Sequence, residues 1–111
     1  MPTDYEGVSM KYFIHTSNGR QPVKSLKAFE FRGESFFLHV RHDNRDAIGI
    51  THCETGASAG HVFRYAGYRA VGMKRIERGK DAWLGDALTL LSRVSEERFK
   101  AAIALARDKT L

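Results

Sequence analysis

The sequence predicts an α+β fold, an antiparallel sheet of three or four strands packed on one face by two or three helices. Three observations carry this expectation. Two runs rich in alternating apolar residues, 27–32 and 35–41, flank Gly33-Glu34, the pattern of a β-hairpin. A third strand-like run, 47–53, follows the turn formers Asp43-Asn44-Arg45. Beyond about residue 58 the apolar residues recur with a period near 3.6, the spacing of amphipathic helices.

Residues 1–9 are expected to form a flexible leader and residues 10–111 a single domain, because a strand-like run, 11–16, opens directly after Met10. Residues 17–22 are dense in turn formers and read as a loop. In the hairpin, glycine at the first turn position suits a type II′ turn. That turn sets Arg32 opposite Ser35, Phe31 opposite Phe36 and Phe29 opposite Leu38. Phe29, Phe31, Phe36, Leu38 and Val40 then share one face. Glu30, Arg32, Ser35, His39 and Arg41 share the other, with Phe37 the exception. A one-residue slip would scatter the apolar set. With a three-residue loop at 43–45, Ile48, Ile50 and His52 join the apolar face; a two-residue loop turns them away, and the apolar pattern prefers the former. The run 11–16 is expected to complete the sheet, leaving one face covered and one largely wet.

The remainder reads as helix. Over 58–78, Ala59, Val62, Phe63, Tyr65, Ala66, Ala70, Met73 and Ile76 fall on one side, interrupted by Arg69, while Arg64, Tyr68, Val71, Lys74, Arg75 and Arg78 fall on the other. Gly67 and Gly72 each cost roughly 1 kcal/mol relative to Ala, so a late start or a break fits as well. Residues 83–94 place Leu84, Ala87, Leu88 and Leu91 at helical spacing. Ser95 is then an N-cap, with Glu96 and Glu97 in the first turn where they complement the helix dipole. Phe99, Ala102, Ile103 and Ala106 form the buried stripe of the last helix.

Length and composition suit one soluble domain: 111 residues, 42% apolar and 28% charged. No apolar run is long enough to span a membrane, and the acidic, polar start is unlike a secretory signal. A single cysteine, Cys53, excludes an internal disulfide and fits a reducing, cytoplasmic setting. No cofactor is expected.

The net charge of +5 is concentrated. Arg64, Arg69, Lys74, Arg75, Arg78 and Lys80 stand against Glu77 alone, while the sequence on either side is balanced. On a helix, Arg64, Lys74, Arg75 and Arg78 share about a third of the circumference with Tyr68 among them. Cations contact phosphates and an interleaved aromatic stacks on bases; a solvated outer face is the plain alternative. Arg64, Tyr68, Lys74, Arg75, Arg78 and Lys80 are therefore the first candidate contact residues. Phe37, His39 and Arg41, on the wet hairpin face, are a second interaction candidate, against simple cross-strand charge pairing.

Two further groups carry less. The small residues of 51–60 could form an anion nest between a strand and a helix, or a tight turn capped by Thr55 or Ser58. His39, His42, His52, Cys53, Glu54 and His61 lack the paired short spacing of a structural zinc site. A small enzyme or metal-binding protein using His52, Cys53 and Glu54 is nonetheless the competing reading.

Ile50-Thr51-His52 followed by Thr55-Gly56 and an expected helix resembles small uncharacterised phage-encoded accessory proteins over perhaps 30 residues. The chain has Ala47-Ile48 where those proteins carry an aromatic early in the strand. The resemblance implies a protein that binds host factors or nucleic acid and transfers no functional residue. Together these readings predict a non-enzymatic binding module, a phage or bacterial accessory protein. It would engage a polyanion through a basic helix, either nucleic acid or the acidic surface of a nucleic-acid-processing protein.

Overall fold

A computed structural model describes residues 12–66 and 75–110. The expected leader lies outside the described residues. A four-stranded antiparallel meander is built in chain order from β3 (Lys27–Phe31), β4 (Glu34–Val40), β5 (Ala47–His52) and β6 (Ser58–Phe63). Before it comes a separate two-stranded hairpin, β1 (Phe13–Thr16) and β2 (Gly19–Pro22). After it come the short pair β7 (Tyr65–Ala66) and β8 (Ile76–Glu77), then the helices α1 (Lys80–Ser92) and α2 (Glu96–Thr110). This is an α+β fold. No helix among the described residues is long and apolar enough to cross a membrane.

The β3–β4 turn is Arg32-Gly33, not Gly33-Glu34. Both turn residues have positive φ, 51° and 81°, which makes the turn type I′. Arg32 is held in that conformation by tertiary contacts. Its guanidinium lies 4.8 Å from the Phe31 ring centroid and 5.3 Å from that of Phe99, and donates to the Val94 carbonyl at 2.9 Å. Phe29 therefore pairs with Phe36 and Phe31 with Glu34. Each strand has moved one position at the turn, so the pairing changes by an even step and the faces survive. Phe29, Phe31, Phe36, Leu38 and Val40 still share one face, and Glu34 now joins it.

Across β4–β5, Phe36, Leu38 and Val40 pair with His52, Ile50 and Ile48, as the longer-loop alternative requires. This face carries the core. Phe36, Leu38, Ile48, Ile50 and Val62 pack against Trp83, Ala87 and Leu91 of α1 and Phe99 and Ile103 of α2. Ser95 caps α2 by accepting the Arg98 N–H at 3.2 Å.

Two further expectations are overturned. Residues 58–63 form the fourth strand and not a helix. Every residue of β5 is buried, so both of its edges need backbone partners; the chain leaving the Thr55-Gly56 turn supplies the second. Gly60 has φ 120°, which no helix accommodates, and it sits at a register irregularity between Ile50 and Thr51 that gives the strand its bulge. The run 11–16, where described, pairs with residues 19–22 and leaves the main sheet. That hairpin covers part of the sheet's second face. Tyr12 packs on Phe37 with ring centroids 5.0 Å apart, and the His15 N–H donates to the Gly56 carbonyl at 3.0 Å.

Candidate functional site

Arg64, Arg75 and Arg78 gather where β5 begins and β6 ends. Beyond Phe63 the strand turns away and β7 pairs with β8. Arg64 spans this corner: its Nε donates to Glu77 at 2.6 Å and its Nη1 to the Arg45 carbonyl at 2.8 Å. Arg75 pairs with Asp46 on the β4–β5 loop. Arg78 donates to the Phe63 carbonyl at 3.0 Å and pairs with Asp86 of α1 at 2.7 Å. The Tyr65 ring has two guanidinium neighbours, since Arg64 and Arg75 each lie 5.1 Å from its centroid. Two large apolar side chains of the neighbouring strands β6 and β8 face solvent: Phe63 is 77% exposed and Ile76 70%.

The basic helix of the sequence reading does not form where the chain is described. Arg64 lies between two strands, Arg75 and Arg78 flank β8, and exposed Lys80 opens α1. Tyr68, Arg69 and Lys74 lie outside the described residues. Nor are the three arginines clear of carboxylates, because the folded β4–β5 loop and α1 bring Asp46 and Asp86 to them. Those carboxylates and Glu77 remain about half exposed, and exposed ion pairs contribute only about 0–1 kcal/mol each.

The second candidate group is corrected too. Phe37 is 0% exposed and His39 5%, because the β1–β2 hairpin covers the face expected to be wet. His39 Nδ1 donates to the Val40 carbonyl at 3.2 Å, so its Nε2 accepts from the Thr51 hydroxyl at 2.8 Å. Burial, aided by the charges of Arg41 and His42, holds its pKa below the usual histidine value. Arg41 is half-buried. It grips Asp43 with Nε at 2.9 Å and Nη2 at 2.7 Å, and donates from Nη1 to His61 Nδ1 at 3.1 Å. That grip holds the Asp43 carboxyl below its ordinary range.

His52 ends β5, and Cys53 and Glu54 follow it in the turn. His52 is buried, with Nε2 donating to Glu34 at 2.7 Å and Nδ1 sharing a 2.8 Å hydrogen bond with Thr55. Glu34, His52 and Glu54 bring one ligand-type atom each within 4.8 Å of one another. A cation already holds this cluster: Arg107 donates from Nε and Nη2 to Glu54 at 2.8–3.0 Å and from Nη2 to Glu34 at 3.0 Å. These bonds pull the Glu54 carboxyl below its usual pKa and raise that of Arg107. Thr55 does cap, but it caps a turn: its hydroxyl accepts the Ala57 N–H at 3.2 Å.

Sequence reasoning weighed Asp86 as a partner for the cations, and Arg78 does pair with it; it missed Phe63 as a surface residue, the carboxylate Asp46, and the Glu34–Arg107 contact. Arg107 alone left a signal, four residues after Ile103 and eight after Phe99 on the stripe that faces the sheet. No family model, no curated protein and no solved structure matches this chain.

Proposed function

We propose that this protein is a non-enzymatic binding module that engages a polyanionic partner. The favoured partner is nucleic acid, on the face built from Phe63, Arg64, Tyr65 and Arg75. The observation that carries this reading is an exposed ring, Phe63, two residues along the chain from a ring flanked by two guanidiniums, Tyr65. Bases stack on such rings for about 1–3 kcal/mol each, whatever their sequence, while guanidiniums contact the intervening phosphates. The carboxylates now paired with these arginines are solvent-exposed and weakly held, so a phosphate can replace them. An acidic protein surface would use the cations and leave the exposed ring without a stacking partner.

The test is fluorescence anisotropy with labelled single-stranded oligonucleotides over a range of salt. Affinity is expected to fall with salt, the log–log slope steepening by about 0.7 for each phosphate contacted. Phe63→Ala should weaken binding by roughly 5- to 150-fold, the equivalent of one lost stack. Arg75→Glu should both weaken binding and flatten the slope, with circular dichroism verifying the fold. Salt-independent binding, or wild-type affinity in both variants, would refute the reading. Loss of an acidic protein ligand by Arg75→Glu, with no oligonucleotide binding at all, would assign the face to protein.

A further inference from the structure

The second face of the sheet holds a groove that the nucleic-acid reading does not use. It encloses about 330 Å³ between the β1–β2 hairpin and strands β4 and β5, at the lower end of the range for small-ligand pockets, about 300–1,000 Å³. Two glycines make room for the rings packed beside it. A Cβ at Gly49 would lie 2.8 Å from the His39 ring, and one at Gly56 would lie 2.6 Å from the Phe13 ring. Arg41 and His42 line one wall, and His15 with the hydroxyl residues Thr16 and Ser17 lines the other.

Several polar groups here already spend their protons within the protein: Thr16 on the Gly19 carbonyl, His39 on the Val40 carbonyl and Thr51 on His39. Arg41 keeps donors to spare. A guanidinium has five N–H groups. Arg41 commits two to Asp43 and one to His61, leaving two N–H groups for an oxyanion. Because a guanidinium only donates, His61 Nδ1 is the acceptor and the proton of the neutral ring sits on Nε2. The one carboxylate in the lining, Asp43, already has both oxygens on Arg41. The groove is closed on one side where the His15 N–H meets the Gly56 carbonyl. It therefore suits the end of a chain or a free small molecule better than a strand passing through.

We propose that this groove binds a phosphate monoester, the terminal phosphate of a nucleotide, with Arg41 as its anchor. The choice of a nucleotide as carrier rests on the function proposed above; the phosphate chemistry does not. The carrier is either a free mononucleotide or the 5′ end of an oligonucleotide.

The test uses the full chain, labelled with ¹⁵N and titrated with AMP, inorganic phosphate and adenosine while amide shifts are followed. AMP and phosphate are expected to move the amides of His15, Thr16, Ser17 and Gly49 to saturation, and adenosine to leave them in place. Arg41→Gln should weaken AMP at least tenfold, as loss of a charge-assisted fork requires. His42→Asn, at an exposed position, should weaken it about threefold and guards against a misfolded Arg41 variant. Tighter binding of a 5′-phosphorylated oligonucleotide than of its 5′-hydroxyl form identifies the chain end as carrier; equal binding identifies the free nucleotide. Equal responses to AMP and adenosine, shifts confined to the surroundings of Phe63, or no shifts at all would overturn the proposal. Salt-dependent oligonucleotide binding with a silent groove would defeat it alone, whereas AMP in the groove without oligonucleotide binding would defeat only the nucleic-acid reading.

Discussion

Replacing Gly49 with alanine probes the packing of the sheet's second face. Gly49 lies in mid-strand and its φ is not positive, so local preference alone favours alanine by roughly 0.5–1 kcal/mol. Packing opposes it. The new methyl would lie 2.8 Å from both Cε1 and Nε2 of His39 and 3.1 Å from Cγ of Arg41. The imidazole has no easy retreat, since Val40 and Thr51 hold its two nitrogens and the Phe37 ring lies 5.3 Å away. Overpacking of this kind costs about 1–3 kcal/mol, and displacing the ring adds the cost of an unsatisfied buried hydroxyl at Thr51, again about 1–3 kcal/mol. Gly49→Ala should therefore destabilise by about 1–5 kcal/mol net. Urea unfolding of the two single variants, Gly49→Ala and His39→Ala, and of the double variant closes a thermodynamic cycle. In the His39→Ala background the alanine should be neutral or stabilising. A neutral Gly49→Ala in the wild-type background, or an equal cost in both, would show that His39 is not the obstacle.

Leu38→Ala removes a side chain with no exposure from the centre of the core and should cost about 2–5 kcal/mol in urea unfolding; a loss under 1 kcal/mol would contradict the register. His39 has its pKa lowered from 6.5, so the unfolded chain binds the proton first and stability falls as pH drops below about 6.5. His39→Gln should remove that slope in pH-resolved melts. The lowered pKa of Glu54 adds a separate acid limb: its contribution is complete above pH 4.5 and lost as pH falls through the folded value, and Arg107→Gln should abolish it. Cys53→Ser is expected to leave oligonucleotide binding unchanged with a modest loss of stability; a tenfold loss of binding without unfolding would return attention to His52, Cys53 and Glu54.

The apolar face of the meander was legible because strand alternation survives an even register change. Phe29, Phe36, Leu38, Ile48 and Ile50 keep their side whether the turn is Arg32-Gly33 or Gly33-Glu34. The turn itself was not legible, since Arg32 is held by Phe99 and Val94, more than 60 residues away. Ser95 and the stripe through Phe99 and Ile103 were local signals, and they hold. Residues 58–63 were misread because Ala59, Val62 and Phe63 satisfy a helical spacing, while the need for a strand there comes from β5, whose unpaired edge no local pattern reveals. The candidate site suffered in the same way. Its cations were plain in composition, but their pairing with Asp46 and Asp86 exists only once the loop and α1 have folded.

The clasp between Arg107 and Glu34 also bears on how the chain assembles. The two residues are 73 apart in sequence, whereas each pairing of the meander joins neighbouring strands. Closing so long a span early is entropically unfavourable. The meander is thus the natural nucleus, with α2 arriving onto it late. An interaction formed after the transition state leaves the refolding rate almost untouched and slows only escape from the native state. The clasp then acts as a kinetic latch: cutting it should hasten unfolding while folding proceeds at its former speed.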